Sequence, residues 1–198
     1  MRNSRIIPVA LILIIVAIAI AALVSLARTV FFSGGSSQTV SQTDTSTDSL
    51  LNTAINHSVT MTVRGVIVAD EEFRSYTITI TPTSRTLTTY SGYQDAPISQ
   101  IAASNNTPAY EQFVYALDRA NLVKGTELTG ADNDTRGICA DGKLYRFSVI
   151  KDGKSVKSLW TSSCKDSKGS LNANVGNLTA MFIDQIPKGI ELINSIVL

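Results

Sequence analysis

Residues 145–160 read YRFSVIKDGKSVKSLW, and this stretch decides the fold class. Tyr145, Phe147 and Val149 alternate with polar or smaller neighbours, the period of two that marks a half-buried strand. Asp152-Gly153 is a turn pair whose residue types accept positive φ, as a two-residue hairpin loop requires. Val156 and Trp160 follow on the return strand. A two-residue loop sets Val149 against Val156 and Tyr145 against Trp160 on one face, with Arg146 and Lys157 on the other. The stretch is therefore an antiparallel hairpin.

Working towards the N-terminus, Val59, Met61 and Val63 alternate with Ser58, Thr60 and Thr62 in a second strand pattern. Gly65 interrupts it, and Val66 and Val68 then take the opposite parity, as a β-bulge would produce. Asp70-Glu71-Glu72 supplies a polar turn. Tyr76, Ile78 and Ile80 form the next strand, which Pro82 ends, and a shorter one follows at Thr86–Tyr90. Threonines crowd the outer parity of these strands, where β-branched side chains fit the pleat. A helix comes next, with Thr107 as cap and Pro108 in its first turn. Its apolar stripe is Tyr110, Phe113, Val114, Leu117 and Ala120, and Gly125 is its expected stop.

Beyond the hairpin, Val175, Leu178, Met181, Phe182 and Ile186 describe a second amphipathic helix ending before Pro187. Residues 190–198 are apolar enough to pack on the domain. The expectation is an α+β fold: two β-hairpin-plus-helix units sharing an antiparallel sheet, with helices on one face.

Cys139 and Cys164 lie just outside the two arms of the 145–160 hairpin. Its register makes them diagonal neighbours, slightly far for a bond unless the strand ends are bulged. An even count and an exported location predict a structural disulfide. Two Cys and one His cannot close a tetrahedral zinc shell without carboxylates, so neither metal nor cofactor is expected.

The location follows from the N-terminal residues. From Ile6 to Ala27, 20 of 22 residues are apolar, the exceptions being Pro8 and Ser25. As a helix this run would span roughly 33 Å, enough for a hydrocarbon core of about 30 Å. Arg2 and Arg5 precede it and Arg28 alone follows, so the positive-inside rule puts the N-terminus in the cytoplasm. Ser25-Leu26-Ala27 also fits signal-peptidase cleavage, but the run exceeds a signal peptide's usual apolar core. No acidic residue precedes Asp44, so the Glu of a type IV pilin is missing. Residues 33–49 then read SGGSSQTVSQTDTSTDS, ten of 17 being Ser or Thr, which cannot bury enough surface to order itself. The expected organisation is a cytoplasmic leader at 1–5, a transmembrane signal anchor at 6–27, a flexible linker at 28–52 and an extracytoplasmic α+β domain at 53–198.

Several chemical motifs are incomplete. Leu159-Trp160-Thr161-Ser162-Ser163-Cys164 resembles the strand-borne Cys of sortases, and His57 is the chain's one histidine. That family also requires an Arg after its Cys, and none follows Arg146; a disulfide-bonded Cys164 is no nucleophile either. Asp132, Asp134 and Gly137 imitate a calcium loop, but Arg136 and Lys143 occupy positions that need oxygen ligands. Gly153-Lys154-Ser155 lacks the earlier glycine of a phosphate loop, which is Ser148 here. Asn56, Asn105, Asn133 and Asn177 begin N-x-Ser/Thr sequons, about as many as 11 Asn in a Ser/Thr-rich chain produce by chance.

Charge is the uneven feature. The whole chain carries +1, which gives no reason to expect nucleic acid. Yet residues 136–168 hold eight basic and three acidic groups, whereas residues 50–135 hold five basic and nine acidic ones. Arg146, Lys151, Lys154 and Lys157 are the candidate basic binding face, suited to an anionic envelope polymer or a surface protein. The set of Cys139-Ala-Asp-Gly142, Tyr145-Arg-Phe147 and Leu159–Cys164 resembles uncharacterised single-pass envelope proteins of small-genome bacteria over residues 139–170. That resemblance implies an anchor-plus-domain plan and carries over no catalytic residue. The functional expectation is a non-enzymatic, membrane-anchored extracytoplasmic binding module, with an assembly subunit of a cell-envelope complex as the alternative and an unrecognised hydrolase or Cys transpeptidase as a remote one.

Overall fold

A computed structural model describes residues 45–198 apart from Lys168 and Val197. The leader, the apolar run 6–27 and the linker up to residue 44 lie outside the described residues. Among those described, no helix is long and apolar enough to cross a membrane. The order is α1 (Ser46–Leu51), β1 (His57–Arg64), β2 (Arg74–Ile80), β3 (Ser84–Ser91), β4 (Ala96–Ser104), α2 (Thr107–Arg119), β5 (Leu144–Lys151), β6 (Lys154–Ser162), α3 (Val175–Ile183) and α4 (Gly189–Ser195). The fold is α+β, with one six-stranded sheet in the order β4-β3-β2-β1-β5-β6. Every neighbouring pair is antiparallel.

The two faces of the sheet are set by parity. On one side Val59, Met61, Val63, Tyr76, Ile78, Ile80, Leu87, Phe147, Val149 and Leu159 are buried. They meet Tyr110, Phe113, Val114 and Leu117 of α2, Leu178 and Phe182 of α3, and Ile193 of α4. Phe182 joins the layers, 5.3 Å edge-on from Phe113 and 5.9 Å from Phe147 between ring centroids. On the other side threonines pair across strands, as where the Thr62 and Thr77 hydroxyls meet at 3.0 Å.

The structure corrects five expectations. The ordered domain begins before residue 53, because Leu50 of α1 is fully buried in the core, so the linker reading of 28–52 runs too far. Leu50-Leu51 supplies the apolar pair that the Ser/Thr-rich run before it lacks. Residues 65–69 do not continue β1 past a bulge. Gly65 still donates to Arg74 O at 3.0 Å, but Ile67 N already bonds Ala140 O at 2.7 Å, so the chain has left the sheet. The first unit is not a hairpin but a four-strand meander, since β4 follows β3. Asn106, not Thr107, caps α2, its side chain accepting from Ala109 N at 3.0 Å, and Asn121 (φ 63°) ends that helix ahead of Gly125.

The fifth correction has the largest consequence. The turn at Asp152-Gly153 is as expected, with φ of 52° and 72°, and Lys151 opposes Lys154. Beyond it the register shifts between Val149 and Ile150, leaving Val156 as the extra residue. Val149 therefore faces Lys157, Phe147 faces Leu159, and Trp160 faces Arg146 rather than Tyr145. A slip of one residue turns every later side chain to the other face. Leu159 belongs to the core and Trp160 to the outer face, and both are buried.

Candidate functional site

The outer face is open threonine over β2 and β3, but it is roofed near β1 and β5. The connection from α2 to β5 runs across it: Glu127 accepts from Ser158 N at 2.6 Å, and Thr135 accepts from the Arg146 guanidinium at 3.4 Å. On the opposite flank the β1–β2 connection packs Phe73 against Tyr93 with ring centroids 4.1 Å apart. Between these walls lies a cavity of about 590 Å³, floored by Thr62, Arg64 and Arg146 and walled by Ile67, Phe73, Tyr93, Ile138 and Leu144. Thr135, Arg136, Gly137 and Cys139 complete one wall, and Gly65 the other.

Cys139 is held there by its bond to Cys164, with Cα atoms 5.5 Å apart. The disulfide forms as expected, although not as a diagonal strand pair. Cys139 (φ 58°) starts a tight turn in which Gly142 N donates to Cys139 O at 3.2 Å, and its sulfur meets Ser163 and Cys164 just past the end of β6. A Cβ on Gly142 would lie 2.6 Å from Cys139 Sγ, so the turn leaves room only for glycine. Asp141 lies beside both sulfurs, but their bond to each other removes them as metal ligands.

Three arginines and no carboxylate line the cavity. Two of them have partners outside the lining. Arg64 Nη1 meets Asp95 Oδ1 at 3.2 Å while its guanidinium sits 4.8 Å above the Phe73 ring. Arg136 Nε donates to Asp134 at 2.9 Å, and this contact holds the Asp134 carboxyl down to about 2. Arg146 is different. Its guanidinium makes only long bonds, 3.4 Å to Thr135 Oγ1 and 3.5 Å to Ser158 Oγ, and no carboxylate among the described residues pairs with it. Half-burial, then the charge of Arg64, pull its pKa below the ordinary value. Arg64 opposes Leu144 and Arg146 opposes Thr62, so the two cations are diagonal neighbours across β1 and β5.

The expected basic face is thus dispersed. Arg146 lines the cavity. Lys151 and Lys154 face each other at the exposed tip of the β5–β6 hairpin. Lys157 pairs with Val149 and has helix-side parity. Arg64, Ile67, Phe73, Tyr93 and Ile138 were not singled out by sequence, and Arg136 only as a misfit in a calcium-like loop, because nothing local signals that β1 lies beside β5. His57 has helix-side parity and is not among the residues that line this cavity. It is 3% exposed; its Nδ1 meets Asn56 Oδ1 at 2.9 Å, and its buried Nε2 has no partner among the described residues. A scan of protein-family models and a search of curated proteins each return no match to this chain.

Proposed function

We propose that the chain is a membrane-anchored extracytoplasmic binding module, non-enzymatic, which holds an anionic envelope component in the outer-face cavity. The observation that carries this reading is Arg146: a half-buried guanidinium in a cavity lined by three arginines and no acid. Burying a cation without a partner costs stability, so a fold that keeps one there has a use for its charge. The apolar run 6–27 supports the anchor, with the N-terminus cytoplasmic and the domain outside, and the disulfide suits an oxidising compartment. The resemblance of residues 139–170 to single-pass envelope proteins agrees with that placement. Binding is favoured over catalysis because the lining offers guanidinium donors and apolar walls, while His57 lies on the other side of the sheet and Cys164 is disulfide-bonded.

The test is retention. Full-length chain in non-ionic detergent is incubated with a small-molecule extract of the envelope, washed, and its bound compounds identified by mass spectrometry. Compounds held by the wild type and lost from an Arg64→Met/Arg146→Met variant are expected. Identical retention by both proteins would contradict the reading.

A second reading, an assembly subunit of an envelope complex, draws on β4. The β6 edge is covered, since Ser158 N bonds Glu127 and Trp160 O accepts from Ser170 N at 2.8 Å. Among the described residues the β4 edge has no such cover. Its nine residues carry no charge and most are exposed, with Ile98 half open at 51%. An uncharged edge is a template for a strand from a partner protein. Site-specific crosslinking from Gln100 in intact cells tests it: a defined adduct supports the subunit reading, and its absence counts against it.

A further inference from the structure

We infer that the cavity takes an organic monocarboxylate with an aromatic or branched apolar body. This rests on the binding reading above and adds the ligand's charge and shape. The charge follows from balance. Arg64 is matched by Asp95 and Arg136 by Asp134, so among the described residues one positive charge, that of Arg146, stays unmatched at the cavity floor. A single negative charge neutralises it, whereas a doubly charged phosphate monoester would leave an excess. A guanidinium has five N–H donors in a planar fork, and Arg146 uses two of them on long contacts to Thr135 and Ser158. The remaining donors suit the two oxygens of a carboxylate.

The shape follows from the opposite wall. Ile67 and Tyr93 are 44% and 41% exposed, large apolar groups left open beside the charge. The Tyr93 ring is fixed rather than free: its hydroxyl donates to Val68 O at 2.8 Å and accepts from Val68 N at 3.1 Å, and its face stacks on Phe73. A preformed aromatic wall with a few convergent polar groups is the usual make-up of a small-ligand site. A bare inorganic anion would leave this wall wet, and a neutral apolar compound would bury Arg146 still unpaired.

The test uses equilibrium dialysis of the full-length chain in non-ionic detergent against four probes: 1-naphthylacetate, 1-naphthylacetamide, acetate and phenyl phosphate. Arg146→Met serves as the control for detergent partition and Arg146→Lys as the conservative variant. The expected result is naphthylacetate binding at least tenfold tighter than every other probe. That binding falls at least tenfold in Arg146→Met and returns in part in Arg146→Lys. Equal binding of the amide would overturn the anion while leaving the cavity as a binding site. Equal binding of acetate would overturn the apolar body, and tighter phenyl phosphate would overturn the single charge. No probe binding above the Arg146→Met level would overturn this inference and count against the cavity as the module's site.

Discussion

At the residue scale, Arg146 and His57 are both half-solved problems of burial, and each makes a distinct prediction. Arg146 loses water and faces Arg64 with no carboxylate among the described residues in return. Replacing a poorly compensated buried charge by an apolar side chain of similar length removes that cost, so Arg146→Met is expected to stabilise the fold by about 1 kcal/mol. Thermal unfolding followed at the single Trp160 measures it; a fall in Tm would show that the guanidinium is structural. His57 is the chain's one histidine, and burial first, then Lys151, depress its pKa below 6.5. The unfolded chain therefore binds the proton more readily than the folded one. Stability is complete above pH 6.5, falls as the pH drops below that value, and levels off once the folded form is protonated too. Unfolding free energies between pH 7.5 and about 5 are expected to show this slope in the wild type and to lose it in His57→Gln. Sequence showed His57 as unique; its burial goes with the core-facing parity that it shares with Val59, Met61 and Val63 in β1.

Elements give the next two predictions. The disulfide closes a loop between residues 25 apart and ties down Cys139, at the end of the 135–139 wall of the cavity. In the chain-entropy model its removal costs roughly 3.5 kcal/mol. A Cys139→Ser/Cys164→Ser variant is expected to unfold at a lower temperature and to exchange the amides of residues 134–142 faster. Unchanged exchange would mean that Glu127, Thr135 and Ala140 hold the wall without it. For β4, lysine at Ala102, an exposed position, is expected to change stability by less than about 0.5 kcal/mol and to abolish any Gln100 crosslink. Persistence of the adduct would place the contact elsewhere. Helices α2 and α3 and strands β1, β2 and β5 were legible, because one face of each is buried and the hydrophobic period survives in the residue order. Strand β4 was not, since most of it is exposed, with Ile101 the residue that packs on the core, and APISQIAAS carries no hydrophobic alternation. The β6 bulge was also silent. Val156 has the residue type of a paired position, and the slip it causes moved Trp160 and Lys157 to faces opposite those expected.

At the scale of the molecule, the candidate site depends on a long-range pairing. β1 and β5 are separated by some 80 residues of meander, helix and connection, yet they lie side by side and bring Arg64 and Arg146 onto one floor. The charge bias of residues 136–168 pointed to Arg146 but grouped it with lysines that the hairpin sends elsewhere. The cavity that Arg64 and Arg146 floor lies on the face of the sheet opposite α2, α3 and α4. The most direct measurement is a guanidinium-detected NMR titration of the full-length chain with 1-naphthylacetate, with Arg119 on the outside of α2 as the internal reference. The Arg146 Nε–H signal is expected to shift and its solvent exchange to slow, saturating with ligand, while Arg119 stays in place. Arg146 unmoved, or moving only in step with Arg119, would contradict the account.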